Sequence, residues 1–212
     1  MVVGSSGSRP LAGPVRPEPP WPTEEDGRRA ALDRLSEEIQ GCRKCPLGSV
    51  RTQAVVYRGG RSPRLVFVGE APGAAEDREG LPFVGRSGQI LDAAIGSLRV
   101  APEEIGILNV LKCRPPANQF DPAAARTCRP YLDRQLALLR PRALVSLGAQ
   151  ALKALDPSAP PVLTSAGVPR RALGLPLFPL VHPAASLRSG RMRSRWTADV
   201  VALAAWLDAQ AF

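Results

Sequence analysis

Four short apolar runs punctuate this chain, at Leu65–Val68, Ile107–Leu111, Ala143–Leu147 and Leu177–Val181, and segments of helical periodicity separate them. A run that is apolar at every position, rather than at every second one, suits a strand buried on both faces. Such strands alternating with helices predict an α/β fold in which helices cover a parallel sheet on both sides. The helical segments carry their own signals. Leu32, Leu35 and Ile39 share one face of a helix that Thr23 can cap and Gly41 can end. Leu91, Ala94, Ile95 and Leu98 form a second stripe, and Asp121 with Pro122 supply an N-cap and a first-turn proline for a helix reaching Leu139. A short helix is expected from Ala149, and a last one opening at Ser194 with Val200, Leu203, Ala204 and Leu207 inward. Residues 1–22 hold six prolines and no hydrophobic periodicity, so they read as a disordered tail, with one folded domain over 23–212.

The four cysteines constrain the fold differently. Cys42 and Cys45 form a Cys-x2-Cys pair, and Cys113 and Cys128 follow much later around a basic, proline-bearing segment. Two thiolates at that spacing can reach one centre from a single turn, so the quartet reads as a four-sulfur metal site closed through a long loop. Spacing leaves zinc and an iron-sulfur cluster equally open. Two disulfides are the rival, but the segment after Met1 lacks the apolar core of a secretory signal, and a reduced, intracellular location is expected instead. No run approaches the roughly 20 apolar residues of a membrane span, which predicts a soluble protein.

Charge narrows the class of partner. Lys plus Arg number 28 against 19 Asp plus Glu, a net +9 that favours a polyanion such as nucleic acid. Only Lys44, Lys112 and Lys153 are lysines; arginine, suited to planar recognition of phosphate, supplies the rest.

In open α/β sheets ligands bind beyond the carboxyl ends of the strands. Gly69-Glu70-Ala71-Pro72-Gly73 follows the first strand, Asn109 lies in the second, and His182-Pro183 ends the fourth. Polar groups from three strands thus meet on one edge, which periodicity alone does not require.

These residues resemble the iron-sulfur branch, family 4, of the uracil-DNA glycosylase superfamily. The resemblance runs from about Cys42 to Arg188. It rests on Gly-Glu-Ala-Pro-Gly at 69–73, Leu-Pro-Phe-Val-Gly at 81–85 with Ser-Gly-Gln behind, Asn-Val-Leu-Lys-Cys-Arg-Pro-Pro at 109–116, His-Pro-Ala-Ala at 182–185, and the cysteine quartet. It implies a three-layer α/β/α sandwich with a central four-stranded parallel sheet and a 4Fe-4S cluster on Cys42, Cys45, Cys113 and Cys128. It implies excision of uracil from DNA, single- or double-stranded, as the first step of base excision repair. A monomer in the cytoplasm, associated with the nucleoid, is expected.

The chemistry assigns roles. A base must leave the stack before it can be excised, and arginine contacts to phosphate supply affinity toward that cost; Arg188, Arg191, Arg193 and Arg195 follow the fourth strand. By resemblance the His-Pro loop wedges into the duplex, and with Ser186 where relatives carry leucine, Leu187 and Arg188 are both candidates. Phe83 matches the stacking phenylalanine, and Glu76 the position that crowds the 5-methyl of thymine. Asn109 presents one donor and one acceptor, the complement of uracil N3–H and O4. His182, the sole histidine, can hydrogen-bond O2 as negative charge grows there. Glu70 can position or activate water, since Ala71 stands where better-known relatives place an aspartate. Gly69 and Gly73 allow close backbone approach. No lysine in these motifs is placed to form a Schiff base, which predicts a monofunctional enzyme.

Two other readings compete. One is a protein that captures uracil-DNA without turnover; a crosslinking branch carries a histidine-containing insertion, and the fourteen residues between Cys113 and Cys128 hold no histidine. The other is an iron-sulfur DNA-binding module in which Glu70, Asn109 and His182 are incidental.

Overall fold

A computed structural model describes residues 22 and 24–210. Except for Pro22, the expected tail lies outside the described residues, as does Thr23. The helices, in chain order, are α1 (Glu25–Gly41), α2 (Leu47–Val50), α3 (Ala74–Glu79), α4 (Arg86–Ile95), α5 (Pro122–Leu139), α6 (Ala149–Leu155), α7 (Val162–Ser165) and α8 (Gly190–Ala209). The strands are β1 (Arg58–Gly59), β2 (Leu65–Gly69), β3 (Ile105–Asn109), β4 (Ala143–Leu147), β5 (Arg170–Ala172) and β6 (Leu175–Leu180).

The sheet order is β1-β3-β2-β4-β6-β5. Its four central strands are the expected parallel set, with Gly69 beside Asn109 and Leu144 beside Leu177. Two short antiparallel strands, β1 and β5, extend the edges beyond the four expected. Every residue of β2, β3 and β4 is buried, because both faces carry helices. On one face Phe67, Ile107, Val145 and Phe178 pack against Leu91 of α4 and Trp196, Val200, Leu203 and Leu207 of α8. On the other, Val66, Val68, Leu108 and Leu144 meet Leu132, Leu136 and Leu139 of α5 and Leu152 and Leu155 of α6. A third cluster joins Leu35 and Ile39 of α1 to Tyr131 and Leu138 of α5 and includes Cys113 and Cys128. Each fully buried leucine contributes on the order of 2 kcal/mol, and α1 owes its place to this packing, since its N-cap Glu24 makes no side-chain capping bond.

The local signals mostly hold. Asp121 caps α5, accepting from the N–H groups of Ala123 and Ala124 at 2.8 and 3.0 Å. Several boundaries differ, among them the last strand, which runs Leu175–Leu180 rather than Leu177–Val181, and α4, which ends at Ile95 and leaves Leu98 beyond it. α8 opens at Gly190, not near Ser194, because Ser189 Oγ accepts from Met192 N and takes the capping role one turn earlier. The second strand ends at Asn109: Val110 and Leu111 are buried beyond the ladder, where their N–H groups bond Gly69 O and Glu70 O at 2.9 and 3.0 Å.

This topology determines where a ligand can sit. The chain passes from β2 to β3 on one side, then returns to β4 on the other side of β2. The carboxyl end of β2 is therefore the point at which strand order reverses, and a crevice opens there.

Candidate functional site

The crevice is a cavity of about 430 Å³ lined by Glu70, Ala71, Pro72, Gly73, Glu76, Phe83, Ser87, Asn109, Asn118, His182, Ala184, Ala185 and Arg188. Its size suits a small organic group. It brings together the expected residues from β2, β3 and the end of β6, although 112 positions separate Glu70 from His182 in the chain.

Asn109 is the best defined. Its side chain is 1% exposed and its Oδ1 has no hydrogen-bond partner among the described residues. Leaving a buried acceptor unsatisfied costs on the order of 1–3 kcal/mol, so this atom is poised for a donor that a ligand would bring. Gly69 makes room for it: a Cβ there would stand 2.3 Å from Asn109 Oδ1 and 2.5 Å from the Phe83 ring. The glycine thus admits Asn109 and Phe83 against the end of β2. Phe83 is buried in a left-handed backbone conformation (φ 56°), its ring 5.9 Å from that of His182 at 29°.

The tautomer of His182 follows from its hydrogen bonds. Nδ1 accepts from Ala184 N at 3.1 Å, so in the neutral ring the proton sits on Nε2, which is left as a donor. Burial, reinforced by the Arg188 charge and opposed by Glu76, pushes its pKa down to about 4. The imidazole is therefore neutral around pH 7. Gly148 (φ +90°) backs it, since a Cβ there would approach His182 Cβ to 3.0 Å.

Glu70 is half-buried, and desolvation raises its pKa above the ordinary carboxylate value. Glu76 behaves differently. Its carboxylate accepts from Gly73 N, Val84 N and Gly85 N at 3.0, 3.0 and 2.9 Å, tying the 69–73 loop to the 81–85 loop. It borders the cavity as a brace whose oxygens already have backbone partners.

The 3₁₀ turn Pro183–Leu187 divides the candidate DNA contacts. Ser186 is buried, its Oγ donating to Pro183 O at 2.7 Å, while Leu187 is 44% exposed and Arg188 borders the cavity. Arg191 and Arg193 are exposed on the first turn of α8. Arg195 does not belong with them: it pairs with buried Asp199 at 2.8 Å and donates to Ala166 O at 2.6 Å, which makes it a tie between α8 and the 166 loop.

Asn118 was missed by sequence reasoning. It lines the cavity with φ 55°, following Ala117 at 52°, and its Oδ1 accepts from Arg114 Nε at 2.9 Å. Asparagine tolerates the left-handed region better than most residues, and that tolerance was the one available signal. Ser87, near the start of α4, belongs to the Ser-Gly-Gln motif already noted, though no role had been assigned to it.

The four cysteines line a second cavity, with Ile39, Lys44, Gly48, Arg51, Lys112, Thr127 and Tyr131, and none of its lining residues is shared with the first. None of the four is joined in a disulfide here, and all four face the same cavity. Among the described residues no three His, Cys, Asp or Glu groups converge closely enough for a single ion. Cations stand ready to offset thiolate charge. Arg51 Nη1 donates to Cys113 Sγ at 2.9 Å, and Lys112 lies in the same wall. Burial raises the Cys113 and Cys128 thiols, opposed by Arg51 and Lys112 respectively. Lys112 itself is pushed down to about 8 by burial, with the Cys128 and Cys113 charges opposing. Tyr131 also lines this wall, with Lys44 Nζ 4.8 Å from the centre of its ring.

Comparison with known proteins adds to this geometry. The family model described as Uracil DNA glycosylase superfamily matches residues 56–205. The Type-4 uracil-DNA glycosylase of Sulfurisphaera tokodaii is 37% identical over 174 residues, 77% of this chain and 79% of that protein. The Type-4 enzyme of Archaeoglobus fulgidus is 36% identical over 178 residues, 80% of this chain and 89% of that protein. More distant is the Type-5 uracil-DNA glycosylase of Mycobacterium tuberculosis, 29% identical over 195 residues, covering 68% of this chain and 73% of that protein.

Proposed function

This chain belongs to the uracil-DNA glycosylase superfamily, and on that premise we propose that it is a monofunctional hydrolase that excises uracil from DNA. Relatives 36–37% identical to it bear the Type-4 uracil-DNA glycosylase name. The single observation that carries the reading is the buried Asn109 amide, its Oδ1 unpartnered, in a cavity shared with a neutral imidazole. Asn109 Oδ1 accepts from uracil N3–H while its N–H₂ donates to O4. Cytosine offers the opposite pattern and would leave buried polar groups unpaired, a mismatch worth discrimination of about 10⁴-fold.

Cleavage moves the N1–C1′ bonding pair onto the base and leaves positive charge on the sugar. The Nε2–H of His182 bonds uracil O2, where part of the negative charge collects. A neutral donor suits this role because it stabilises the charge without protonating the base beforehand. Water oxygen bonds C1′, and its proton passes to the Glu70 carboxylate; Glu70 returns that proton to solvent and the departing uracil anion takes one up, so the products are free uracil and an abasic sugar. Phe83 supplies a stacking face. Glu76 braces the two loops that form the pocket wall where a thymine methyl would fall, so exclusion follows from a stiff wall. Leu187, the exposed apolar residue of the turn, fills the gap left by the flipped nucleotide, and Arg188 contacts phosphate. The partner is uracil-containing DNA, met in the cytoplasm.

Cys42, Cys45, Cys113 and Cys128 would hold a 4Fe-4S cluster, whose contribution when bound is a structural crosslink between the 42–50 segment and the 112–128 region. The test is a uracil-containing single-stranded oligonucleotide incubated with cluster-loaded protein and then treated with alkali. Strand breaks at uracil alone are expected; a loaded protein that releases no uracil overturns the reading.

A further inference from the structure

The mechanism leaves one buried charge unused. Lys112 is 1% exposed, and its Nζ donates to Asn109 O at 2.5 Å. An ammonium in the interior is costly unless an anion and hydrogen-bond acceptors surround it. Lys112 lines the cysteine cavity together with Cys113 and Cys128. Its carbonyl accepts from Val55 N at 2.7 Å, so the residue is held by main chain and side chain at once.

The lysine therefore stands between the two cavities. It lines the cysteine cavity, while the carbonyl it grips belongs to Asn109, whose amide lines the other. The carbonyl and side chain of Asn109 leave the same backbone unit, so fixing one restricts the other. β2 restrains that unit from its other side, where Gly69 pairs with Asn109 and accepts from Val110 N at 2.9 Å.

We propose that Lys112 is a positioning residue that couples the four-cysteine site to uracil recognition: its side chain lines the cysteine cavity while its ammonium holds the Asn109 carbonyl. This rests on the glycosylase reading and on cluster occupancy of the quartet. A filled cysteine site carries the negative charge that holds the ammonium in place; an empty one leaves a buried cation that must move or recruit water, and Asn109 loses its anchor. A side chain 1 Å out of place can cost about 10²-fold, and among the described residues Asn109 Oδ1 has no hydrogen-bond partner to restore its position.

The experiment uses cluster-loaded protein and two variants, Lys112→Met, which removes charge and donor, and Lys112→Gln, which keeps an N–H donor. The probes are single-stranded oligonucleotides carrying one uncleavable 2′-fluoro-deoxyuridine or, as the reference, 2′-fluoro-deoxycytidine. With cluster absorption unchanged, Lys112→Met should lower the preference for uracil over cytosine by about 10- to 100-fold, and Lys112→Gln should recover part of it. Both should shift the cluster midpoint potential negative, because a cation beside the sulfurs favours the reduced form. Combining Lys112→Met with Asn109→Ala should add no further loss. A loaded Lys112→Met protein with wild-type uracil preference overturns the proposal, as does a loss that multiplies with that of Asn109→Ala. Loss of the cluster in both variants also overturns it, since Lys112 would then serve retention alone. If the wild type shows no uracil preference, the glycosylase reading itself fails, a result distinct from these.

Discussion

The two cavities of this protein handle buried polarity in opposite ways. The crevice at the end of β2 keeps functional groups unsatisfied: Asn109 Oδ1 lacks a partner, Glu70 is held at a raised pKa, and His182 is kept neutral with a free donor. The cysteine cavity surrounds its sulfurs with compensation, including the Arg51 guanidinium on Cys113 and the Lys112 ammonium near Cys128. Unsatisfied groups cost stability and are poised to bind; compensated groups are poised to hold something permanently. On the proposed reading, catalysis belongs to the first region and cohesion to the second.

Removing a cysteine should break this contrast most severely. Cys113→Ala takes away a buried ligand between β3 and α5, and structural metal sites contribute folding free energy of order 10 kcal/mol. We expect loss of visible absorption together with a collapse of the thermal transition, followed by absorption and circular dichroism. A Cys113→Ala protein with wild-type melting would place cohesion elsewhere.

His182→Ala should do the reverse, leaving absorption and melting close to wild type while uracil release falls about 10²- to 10³-fold, the scale of a lost oxyanion donor. Single-turnover base release measures it. Equal damage to melting would mean that the imidazole serves packing.

The pH profile sharpens the division of labour within the crevice. Glu70 must be ionised to accept a proton, so activity falls as pH drops through its raised pKa, above the ordinary 4.5. His182 is neutral until pH falls through about 4, so its limb lies lower. The wild-type acid limb should therefore belong to Glu70, and Glu70→Gln, about 10²-fold slower, should lose that limb and keep activity down to about pH 4. A limb near 6.5 in the wild type would mean that His182 titrates as an exposed histidine.

The smallest effect is expected at the rim. Arg188→Ala should weaken DNA binding alike for all sequences and reduce the salt slope by about 1, read by titration at several ionic strengths. It should also let the His182 pKa rise, since the Arg188 charge helps to depress it.

The central sheet was legible because four strands buried on both faces leave runs that no surface element tolerates. Edge strands β1 and β5 were not, since Arg58-Gly59 and Arg170-Arg171-Ala172 are two and three residues long and only Ala172 among them is buried, too little to make an apolar pattern. The second strand read two residues late for a related reason: Val110 and Leu111 are apolar because they are buried, and apolarity reports burial rather than ladder hydrogen bonds. The start of α8 was misplaced because two serines, Ser189 and Ser194, offered the same capping chemistry, and backbone geometry chose between them.

The sequence by itself determined the α/β class, the parallel central strands and the identities of Glu70, Asn109, His182 and the four cysteines, because periodicity, turn chemistry and ordered motifs are local properties of a chain. Tertiary structure alone decided what those side chains meet. It gave Glu76 three backbone donors and Arg195 a partner in Asp199, and it turned Ser186 inward while leaving Leu187 out. It also set a buried lysine between the cysteines and the amide that would read the base. Charges and hydrogen bonds act over a few ångströms of space, and only the folded chain decides which residues come that close.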